Sequence, residues 1–411
     1  MAKINPFKGV RPSKNNVENF SSRSFKTYSK EELDEELKKH PTSFLSIINI
    51  KKNPHLEIEK PERYKMVKEK FEAFKAENIL ITDANPSYYI YETVQANGHL
   101  FCGVMATASV EDYDTQVIKK HEATISKREH TFKKYLETVR FNAAPVLLTY
   151  PDDLLLESHL ETAKSKASDI HSWKTNNETH KLWRVDNPED IIFIKKAFHK
   201  IPSLYIADGH HRSASSALLA RELTSKETPI IEPSYNYFLA YLIPESQLKI
   251  YDYNRVIKDL NGLSTSAFLE KVNRVFNLEK KGSKPYKSSK RHDISMYIEG
   301  VFYSLSLRET IHNRPSAIDQ LDTYILQTKL LKPILGITNV RSNPRIGYIH
   351  GSDSLEQIKS TVDCGEHAVG FTLFPIETKE LKAIADSDAV MPPKSTYIYP
   401  KIRSGITIYE F

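Results

Sequence analysis

The amino-acid sequence predicts an α+β protein: a first domain built on a mixed β-sheet, followed by a smaller α/β domain. Three observations predict this class. The chain has 411 residues, enough for two domains that each bury a core. Its first part interleaves amphipathic helical segments with apolar β-hairpin segments. Its second part alternates strand-like and helix-like segments, which is typical of α/β units.

Taken in chain order, the first part begins with a charged helix, "YSKEELDEELKK", which we expect to lead into a buried strand, "SFLSIINI". The segment "RYKMVKEKFEAFKAENIL" predicts an amphipathic helix. A hairpin follows in "SYYIYETVQANGHLFCGVMATASV", turning at Asn97-Gly98. Further strands are predicted in "APVLLTY" and in "FLAYLIPESQLKIYDYNRVI". These elements make residues 1–252 the first domain.

The smaller domain is predicted over residues 253–388. It contains a helix, "STSAFLEKVNRVFNLEK", a hairpin, "ISMYIEGVFYSLSL", and a helix that ends near Pro333. Two strand–helix pairs then follow. Residues 389–411 return to β character in "MPPKSTYIYPKIRSGITIYEF", so we expect this segment to rejoin the first domain and complete its sheet.

Composition limits the classes of function. Hydrophobic residues make up 40% of the chain and charged residues 27%, as in ordinary soluble globular proteins. The net charge of +6 suits an anionic small substrate, and the basic stretch "KKGSKPYKSSKRHD" has the pattern of a solvated loop, so we expect no nucleic-acid partner. We expect no membrane association, because neither a signal peptide nor a long apolar run is present. The two cysteines, far apart, favour a reducing, cytoplasmic location.

The stretch "YIADGHHRSASSALLA" is the most informative in the chain. It predicts a strand, a tight turn at Asp208-Gly209 and a helix. Gly209 lets the backbone approach a ligand, and the first turn of the helix favours an anion. His210 and His211 add donors or a proton acceptor, and Arg212 adds a bidentate phosphate donor.

Asp208 does not suit a simple anion site unless it binds a metal ion or accepts a proton from an attacking hydroxyl. Ser213 stands near the start of the helix and is a further candidate phosphate contact. Two alternatives to the anion site remain: a polar loop with a helix cap, and a zinc site. Adjacent histidines in a turn are poorly placed to bind one zinc ion together.

A second cluster lies in "VIKKHEATISKREHTFKKYLETVRFNAAPV". His121 and Glu122 adjoin near its start, and Arg140 and Asn142 lie near its end, just before a strand. These positions at the ends of elements favour a functional role, with an exposed charged helix as the alternative. Arg140 and Asn142 are groups suited to binding a substrate carboxylate.

A third cluster is "MPPKSTYIYPK", in which Lys394, Ser395 and Thr396 offer an ammonium group and two hydroxyls to phosphate or its magnesium ion. The segment is not a P-loop, because GxxxxGK[ST] is absent. A structural loop is the alternative. Arg11, in "PFKGVRPS", is another candidate phosphate contact.

Five segments together carry a family resemblance: "ADGHHRSAS", "KKHEATISKRE", "VRFNAAPV", "YNRV" and "MPPKSTYIYPK". They resemble a large prokaryotic family catalogued as domain of unknown function 1015, along nearly the whole chain. The DGHHR turn also resembles the phosphate-binding corner of the ParB/sulfiredoxin-like fold, to which free-serine kinases belong. One departure is "SSRSFKTYS", where many relatives carry a "PPYDV"-like segment.

The resemblance implies a cytoplasmic kinase that phosphorylates free L-serine, with Mg²⁺ as cofactor and pyrophosphate, ATP or ADP as donor. In this interpretation Asp208 binds the metal, and either Glu122 or Asp208 accepts the hydroxyl proton. His210 and His211 assist catalysis and hold the donor phosphates together with Gly209, Arg212 and Ser213. Two alternatives stay open: a ParB-like nucleotide-binding module associated with DNA, and a hydrolase that uses the same anion pocket.

Overall fold

A computed structural model describes residues 1–49, 60–167, 170–175, 177–226, 232–308, 316–351 and 354–411. The chain forms two compact units, Met1–Leu248 with Pro400–Phe411 and Lys249–Tyr399. Helices and several sheets are mixed in the chain, which confirms the α+β class. The functional boundaries after residues 252 and 388 stay predictions.

The strands and helices are numbered in chain order. The strands are β1 (Ile4–Asn5), β2 (Gly9–Pro12), β3 (Leu80–Thr82), β4 (Tyr88–Val94), β5 (Leu100–Ser109), β6 (Ile118–Lys119), β7 (Phe141–Asn142), β8 (Val146–Tyr150), β9 (Ile170–Thr175), β10 (Glu178–Val185), β11 (Leu204–Asp208), β12 (Tyr237–Pro244), β13 (Lys249–Tyr251), β14 (Tyr253–Ile257), β15 (Phe276–Gly282), β16 (Asp293–Ile298), β17 (Val301–Leu307), β18 (Ile346–His350), β19 (Val369–Thr372), β20 (Tyr397–Tyr399) and β21 (Ile408–Glu410). The helices are α1 (Val17–Phe20), α2 (Lys30–Lys39), α3 (Phe44–Ile48), α4 (Lys60–Ala76), α5 (Val110–Asp114), α6 (Ser126–Val139), α7 (Leu154–Lys166), α8 (Pro188–Lys200), α9 (His210–Lys226), α10 (Thr265–Val275), α11 (Asp322–Leu326), α12 (Ser354–Asp363) and α13 (Thr378–Asp386).

The first unit is organised around a nine-stranded mixed sheet with the order β6-β11-β8-β12-β5-β4-β10-β9, and β1 pairs with β5 outside this path. β11 runs parallel to β6 and antiparallel to β8. The predicted hairpin is present as β4 and β5, and Gly98 at its turn has φ +81°. Aliphatic and aromatic side chains from strands and helices fill the core, among them Ile90 in β4, Leu148 in β8 and Phe198 in α8.

A second, four-stranded sheet in this unit has the order β3-β2-β21-β7 and is antiparallel throughout. β21 lies between β2 and β7, so the end of the chain returns to the first unit, as the β character of the tail predicts. β20, in contrast, pairs with β13 within the second unit. The tail therefore supplies one strand to each unit.

Two predicted elements differ from the structure. The helix predicted for "STSAFLEKVNRVFNLEK" covers only Thr265–Val275, and the residues that follow form β15 (Phe276–Gly282). The segment "SFLSIINI" was expected to form a buried strand, but Phe44–Ile48 form the short helix α3. A brief apolar run does not distinguish a buried strand from a buried helix by its periodicity. Tertiary packing decides here, because Phe44 and Ile47 join a core that also holds Phe20 and Phe71.

The second unit contains a six-stranded antiparallel sheet with the order β15-β17-β16-β19-β14-β18. The predicted hairpin is β16 with β17, and the two predicted strand–helix pairs are β18 with α12 and β19 with α13. The helix expected to end near Pro333 is α11 followed by a π-helical turn over Gln327–Leu331. Within the described part of the chain, no helix combines the length and the apolar composition needed to cross a membrane.

Candidate functional site

The chain turns sharply between β11 and α9, at Gly209, which confirms the predicted order of strand, turn and helix. Gly209 has φ +109°, a backbone conformation that residues with a side chain rarely adopt. A Cβ atom added to Gly209 would lie 2.9 Å from Nε and Nη2 of Arg212. The backbone conformation therefore favours glycine at this corner, and any side chain there would also displace the end of the Arg212 side chain.

The direction of two neighbouring strands brings the first and second sequence clusters together. β6 and β11 are parallel, with Ile118 opposite Leu204 and Lys119 opposite Tyr205. Both strands therefore end at the same edge of the sheet. The residues that follow β6, including His121 and Glu122, lie beside the residues that follow β11.

Contacts between the side chains show how close this meeting is. The backbone N–H of His121 donates a long hydrogen bond of 3.4 Å to Nε2 of His210. The two imidazole rings meet edge to face, with centroids 4.4 Å apart. A carboxylate oxygen of Glu122 lies 3.6 Å from Nδ1 of His210. Nε2 of His211 accepts a hydrogen bond from the N–H of Ile125, in the segment that follows Glu122. The predicted catalytic residues Glu122, Asp208, His210 and His211 therefore belong to one region.

Burial keeps the paired histidines neutral. Desolvation lowers the pKa of His121 to about 4, although the negative charge of Asp208 opposes the change. The pKa of His210 is also well below its usual range, because of burial first and the neighbouring His121, His211 and Arg212 second. Nε2 of a neutral His210 accepts the N–H of His121, so its proton lies on Nδ1, the nitrogen nearer Glu122. Nδ1 of His121 is buried without a hydrogen-bond partner.

Asp208 lies between two cations. Its Oδ2 accepts a 2.6 Å hydrogen bond from Nη2 of Arg212, and its Oδ1 is 3.7 Å from Nζ of Lys401. Burial by itself raises the pKa of this carboxyl, but Lys401 and Arg212 outweigh burial and the pKa is below its usual value. Asp208 is therefore ionised near neutral pH and is a weak proton acceptor. Nη1 of Arg212 donates to the carbonyl of Pro145.

The first turn of α9 partly satisfies its own backbone donors. The N–H groups of Arg212 and Ser213 donate to the carbonyl of Gly209 at 2.8 and 3.1 Å. The hydroxyl of Ser213 donates to the carbonyl of His210, and the residue has no exposed surface. A ligand at this end of α9 still meets the positive end of the helix dipole. Direct phosphate binding by Ser213 stays a prediction.

Arg140 and Asn142 lie in the four-stranded sheet and at its margin. Arg140 ends α6 in the left-handed conformation, with φ +60°, and its carbonyl accepts the N–H of Phe411. The side-chain oxygen of Asn142 accepts the backbone N–H of Leu239 in β12, at 3.1 Å. These contacts join elements of the first unit, and a substrate-binding role for Arg140 and Asn142 stays a prediction.

Arg11 forms a buried ion pair. Its guanidinium donates to both carboxylate oxygens of Asp83, at 3.0 to 3.2 Å, and its Nη1 lies 2.6 Å from Nε2 of His171. Asp83 also accepts hydrogen bonds from Tyr89 and Arg184. This arrangement gives Arg11 a structural partner, and its predicted contact with phosphate stays untested.

Lys394, Ser395 and Thr396 belong to the second unit. Nζ of Lys394 lies 3.0 Å from the hydroxyl of Tyr253, and the Lys394 backbone has φ +62°. The Ser395 hydroxyl donates to the carbonyl of Pro392. Phosphate binding by these three residues remains a prediction from the sequence.

A preformed metal site is not found in the described ranges, where no three His, Cys, Asp or Glu side chains gather to hold an ion. The side chain of Asp208 is 44% exposed and ionised, so it can serve as one ligand. Mg²⁺ commonly binds through one or two carboxylates together with substrate phosphates and water. The corner therefore fits a magnesium ion that arrives with a phosphorylated donor better than a resident ion.

A comparison with models of protein families identifies the family of this chain. Residues 4–324 match a family model described as a protein of unknown function, DUF1015, and the chain belongs to that family. No curated protein matches the sequence.

Solved structures resemble the chain only distantly. A free serine kinase in complex with AMP is 13% identical, with a TM-score of 0.36 over 74% of this chain and 92% of that one. SbnI with a C-terminal truncation, from Staphylococcus aureus, is 12% identical, with a TM-score of 0.37 over 72% of this chain and 82% of that one. A conserved hypothetical protein from Pyrococcus furiosus is 12% identical, with a TM-score of 0.34 over 72% and 90%. Likeness at this level does not transfer an activity.

Sequence reasoning missed the distant partners of two predicted site residues. Lys401 approaches Asp208 from 193 positions away in the chain, and no local pattern connects the two. Asp83, the partner of Arg11, stands in an unremarkable turn.

Proposed function

We propose that this chain is a magnesium-dependent phosphotransferase that phosphorylates the hydroxyl of free L-serine. The proposal rests on the family resemblance of the DGHHR segment and on one structural observation. That observation is the convergence of Asp208–Arg212 with His121 and Glu122 at the ends of two parallel strands. We further propose that the first unit is the ParB/sulfiredoxin-like catalytic domain.

The donor is an anion, and the charges at the corner support its binding there. Arg212, Lys401 and the positive end of α9 surround a single carboxylate, Asp208. Pyrophosphate, ATP or ADP each present a terminal phosphate that this environment would attract. Phosphoryl transfer depends mainly on positioning and on neutralising charge, which is what such a corner supplies.

We assign the general base to Glu122. Asp208 is a poor candidate, because its pKa is lowered and Arg212 occupies one of its oxygens. The Glu122 side chain is 37% exposed, and its carboxylate adjoins Nδ1 of the neutral His210. As the serine oxygen forms its bond to the terminal phosphorus, the hydroxyl proton passes to Glu122. The bond between that phosphorus and the bridging oxygen breaks, and the rest of the donor leaves with the electron pair.

Magnesium, when bound, supplies positive charge to the donor oxygens, and Asp208 is the residue we expect to hold it. Arg212 and Lys401 keep Asp208 ionised over the physiological pH range. His210 holds its proton on Nδ1 and so orients the carboxylate of Glu122. His211, fixed by the N–H of Ile125, completes the wall of the donor site.

Phosphorus NMR of the purified protein tests the proposal. The protein is incubated with Mg²⁺ and L-serine, separately with pyrophosphate, ATP and ADP. We expect O-phosphoserine with at least one donor. Unchanged donor and no product in all three incubations would refute the kinase assignment.

Incubations without serine separate the kinase from a hydrolase. Consumption of donor at the same rate with and without L-serine, without phosphoserine, would favour the hydrolase that sequence analysis left open. Glu137→Gln is a suitable control, because Glu137 lies on α6 and pairs with the nearby Lys133 at 3.3 Å. Its product yield should equal that of the wild-type protein.

A further inference from the structure

The outer face of α7 and α8 carries large apolar side chains that are open to solvent. Leu154 and Leu155, in the first turn of α7, are 81% and 78% exposed, and Ile192 and Phe193 in α8 are 52% and 37% exposed. Single exposed apolar residues are normal on a protein surface. In the described ranges, the other large hydrophobic residues with comparable exposure are scattered along the chain, at Met1, Phe25, Leu100 and Val390. Among the described helices, α7 and α8 thus concentrate this apolar surface.

Packing into the core does not account for these four residues. Each helix already has an inward apolar stripe at helical spacing. The residues of these stripes are buried in the core of the first unit: Leu156, Leu160 and Ala163 in α7, and Ile194, Ala197 and Phe198 in α8. The four outer residues lie beside these stripes and leave apolar area in water, which is unfavourable unless a partner covers it.

His159 connects the apolar residues of the two helices. Its ring stacks on that of Phe193, with centroids 3.8 Å apart, and its Nε2 lies 2.9 Å from Oδ1 of Asp190 in the first turn of α8. Leu155 lies one turn before His159, and residues four apart are neighbours on a helix surface. The apolar residues therefore form one continuous surface, the α7–α8 face, which comprises Leu154, Leu155, His159, Ile192 and Phe193. Contiguous exposed apolar surface commonly marks an interaction site.

The charges around the α7–α8 face have opposite signs on its two sides. Residues 152–161 contain no lysine or arginine, and their acidic residues are Asp152, Asp153, Glu157 and Glu161. Residues 191–200 contain no acidic residue, and their lysines are Lys195, Lys196 and Lys200. These lysines are exposed and form no ion pair with another described residue. Glu161 also pairs with Lys164 on its own helix, at 2.6 Å. The surface is thus acidic around the leucines of α7 and basic beside the apolar residues of α8.

We propose that the α7–α8 face binds a second copy of this chain. About a two-fold axis, α7 of one copy lies on α8 of the other, so the acidic and basic sides meet twice and the apolar residues of both copies are buried. Placing α7 on α7 would instead bring like charges together. Because the face is complementary to itself, it fits a second copy better than an unrelated protein. The inference goes beyond the proposed function and does not depend on it.

The size of the α7–α8 face sets the expected strength of the contact. Each of the two helices has 13 residues. Each is thus about 20 Å long, and with a neighbour at about 10 Å the face measures about 20 by 20 Å. This footprint is smaller than the about 800 Å² that each partner buries in a standard interface. We therefore expect a reversible dimer with a Kd in the micromolar range.

Sedimentation equilibrium of the full chain tests the proposal. Samples from about 1 to 200 µM cover the expected Kd. We expect the average mass to rise with concentration toward that of two chains and to fit a monomer–dimer equilibrium. An average mass of one chain at all concentrations would overturn the proposal. Growth beyond two chains without a limit would overturn it as well, because a two-fold contact closes on itself.

Substitution of the two most exposed leucines locates the interface. Leu154→Ser combined with Leu155→Ser should raise the Kd of the dimer at least about tenfold, because apolar surface is lost from both copies. Leu100→Ser is the matched control, since Leu100 is 44% exposed on β5, outside the α7–α8 face. Its Kd should equal that of the wild-type protein. A wild-type Kd in the double variant would mean that the copies meet elsewhere, and the assignment would be refuted.

An exchange of charges tests how the two helices are arranged. One variant combines Lys195→Glu with Lys196→Glu, and the other combines Asp152→Lys with Glu161→Lys. Each variant alone should dimerise at least about tenfold more weakly than the wild-type protein, because like charges meet at both contacts. An equimolar mixture should regain dimers, since one contact is then native and the other has its charges exchanged. A mixture that dimerises no better than either variant alone would refute the contact of α7 with α8.

Discussion

The first unit contains two aspartate–arginine pairs that differ in their exposure to solvent and in the number of their hydrogen bonds. Asp83 is 3% exposed and receives hydrogen bonds from Arg11, Arg184 and Tyr89. Asp208 is 44% exposed, receives one hydrogen bond from Arg212 and has Lys401 at 3.7 Å. The first pair is saturated and sealed, whereas the second is open to a ligand.

The difference separates a pair with a structural role from the pair that we propose to be functional. A buried pair must satisfy its own hydrogen-bonding groups, because water is absent. An open pair can exchange partners, because solvent screens it and replaces lost contacts. Arg11 and Arg212 were both predicted to bind phosphate, yet of the two only Arg212 pairs with a carboxylate that is open to solvent.

The largest expected effect comes from the sealed pair. Asp83→Asn should lower the free energy of unfolding by about 3 to 5 kcal/mol, because it removes the negative charge that faces the buried guanidinium of Arg11. Urea denaturation measures the loss. A change below about 1 kcal/mol would show that water or another acid reaches Arg11.

The Arg11–Asp83 pair also predicts how the stability of the protein depends on pH. Burial acts to raise the pKa of Asp83, but Arg11, Tyr89 and Arg184 together hold it below its ordinary value of 3.8. The pair's contribution to stability is therefore complete above pH 3.8 and is lost as pH falls through the lower pKa of the folded state. The stability difference between wild type and Asp83→Asn should shrink in that range, and a constant difference would contradict the assignment.

A substitution at the exposed site around Asp208 and Glu122 should change the rate of catalysis. Glu122→Gln should lower turnover roughly a hundredfold, about 2.7 kcal/mol in activation free energy, because the amide cannot accept the serine proton. Steady-state kinetics of phosphoserine formation give the value, with Glu137→Gln as control. Turnover within about threefold of wild type would remove Glu122 as the base.

Arg212→Ala should weaken donor binding by about 2 to 3 kcal/mol if the guanidinium contacts the donor as a charged hydrogen-bond partner. Titration with pyrophosphate or ADP measures the affinity, and Arg221→Ala, on the same helix, provides the comparison. Unchanged donor affinity would leave Arg212 with only its contacts to Asp208 and Pro145.

The smallest expected effect is the change in stability when Asp208 is substituted, and it compares the two pairs directly. Asp208→Asn should change the free energy of unfolding by no more than about 1 kcal/mol, because partly exposed ion pairs contribute little to stability. Its catalytic activity should nevertheless fall. A stability loss as large as that of Asp83→Asn would mean that both pairs are structural.

Local features were predictable from the sequence. The hairpin at Gly98 and the corner at Gly209 each depend on a few adjacent residues with definite conformational preferences. The meeting of the His121 and Asp208 segments needed one additional fact, the parallel pairing of β6 with β11. Sequence marked both segments as candidates but did not show that they are neighbours.

Nonlocal contacts were not predictable in the same way. The Arg11–Asp83 pair joins positions 72 residues apart, and Arg403 meets Ser21 from 382 positions away. Such contacts depend on the packing of distant strands, for which one sequence contains no pattern. The helix α3 was missed for a related reason, since its neighbours rather than its own residues decide between helix and strand.

The return of the last residues to the first unit has a consequence for synthesis of the protein. Lys401, Arg403 and β21 leave the ribosome only after the entire second unit has been made. A nascent chain or a prematurely terminated product therefore has the DGHHR corner without Lys401, its distant basic partner. Only translation through these final residues can give a first unit with all of its strands and charges in place.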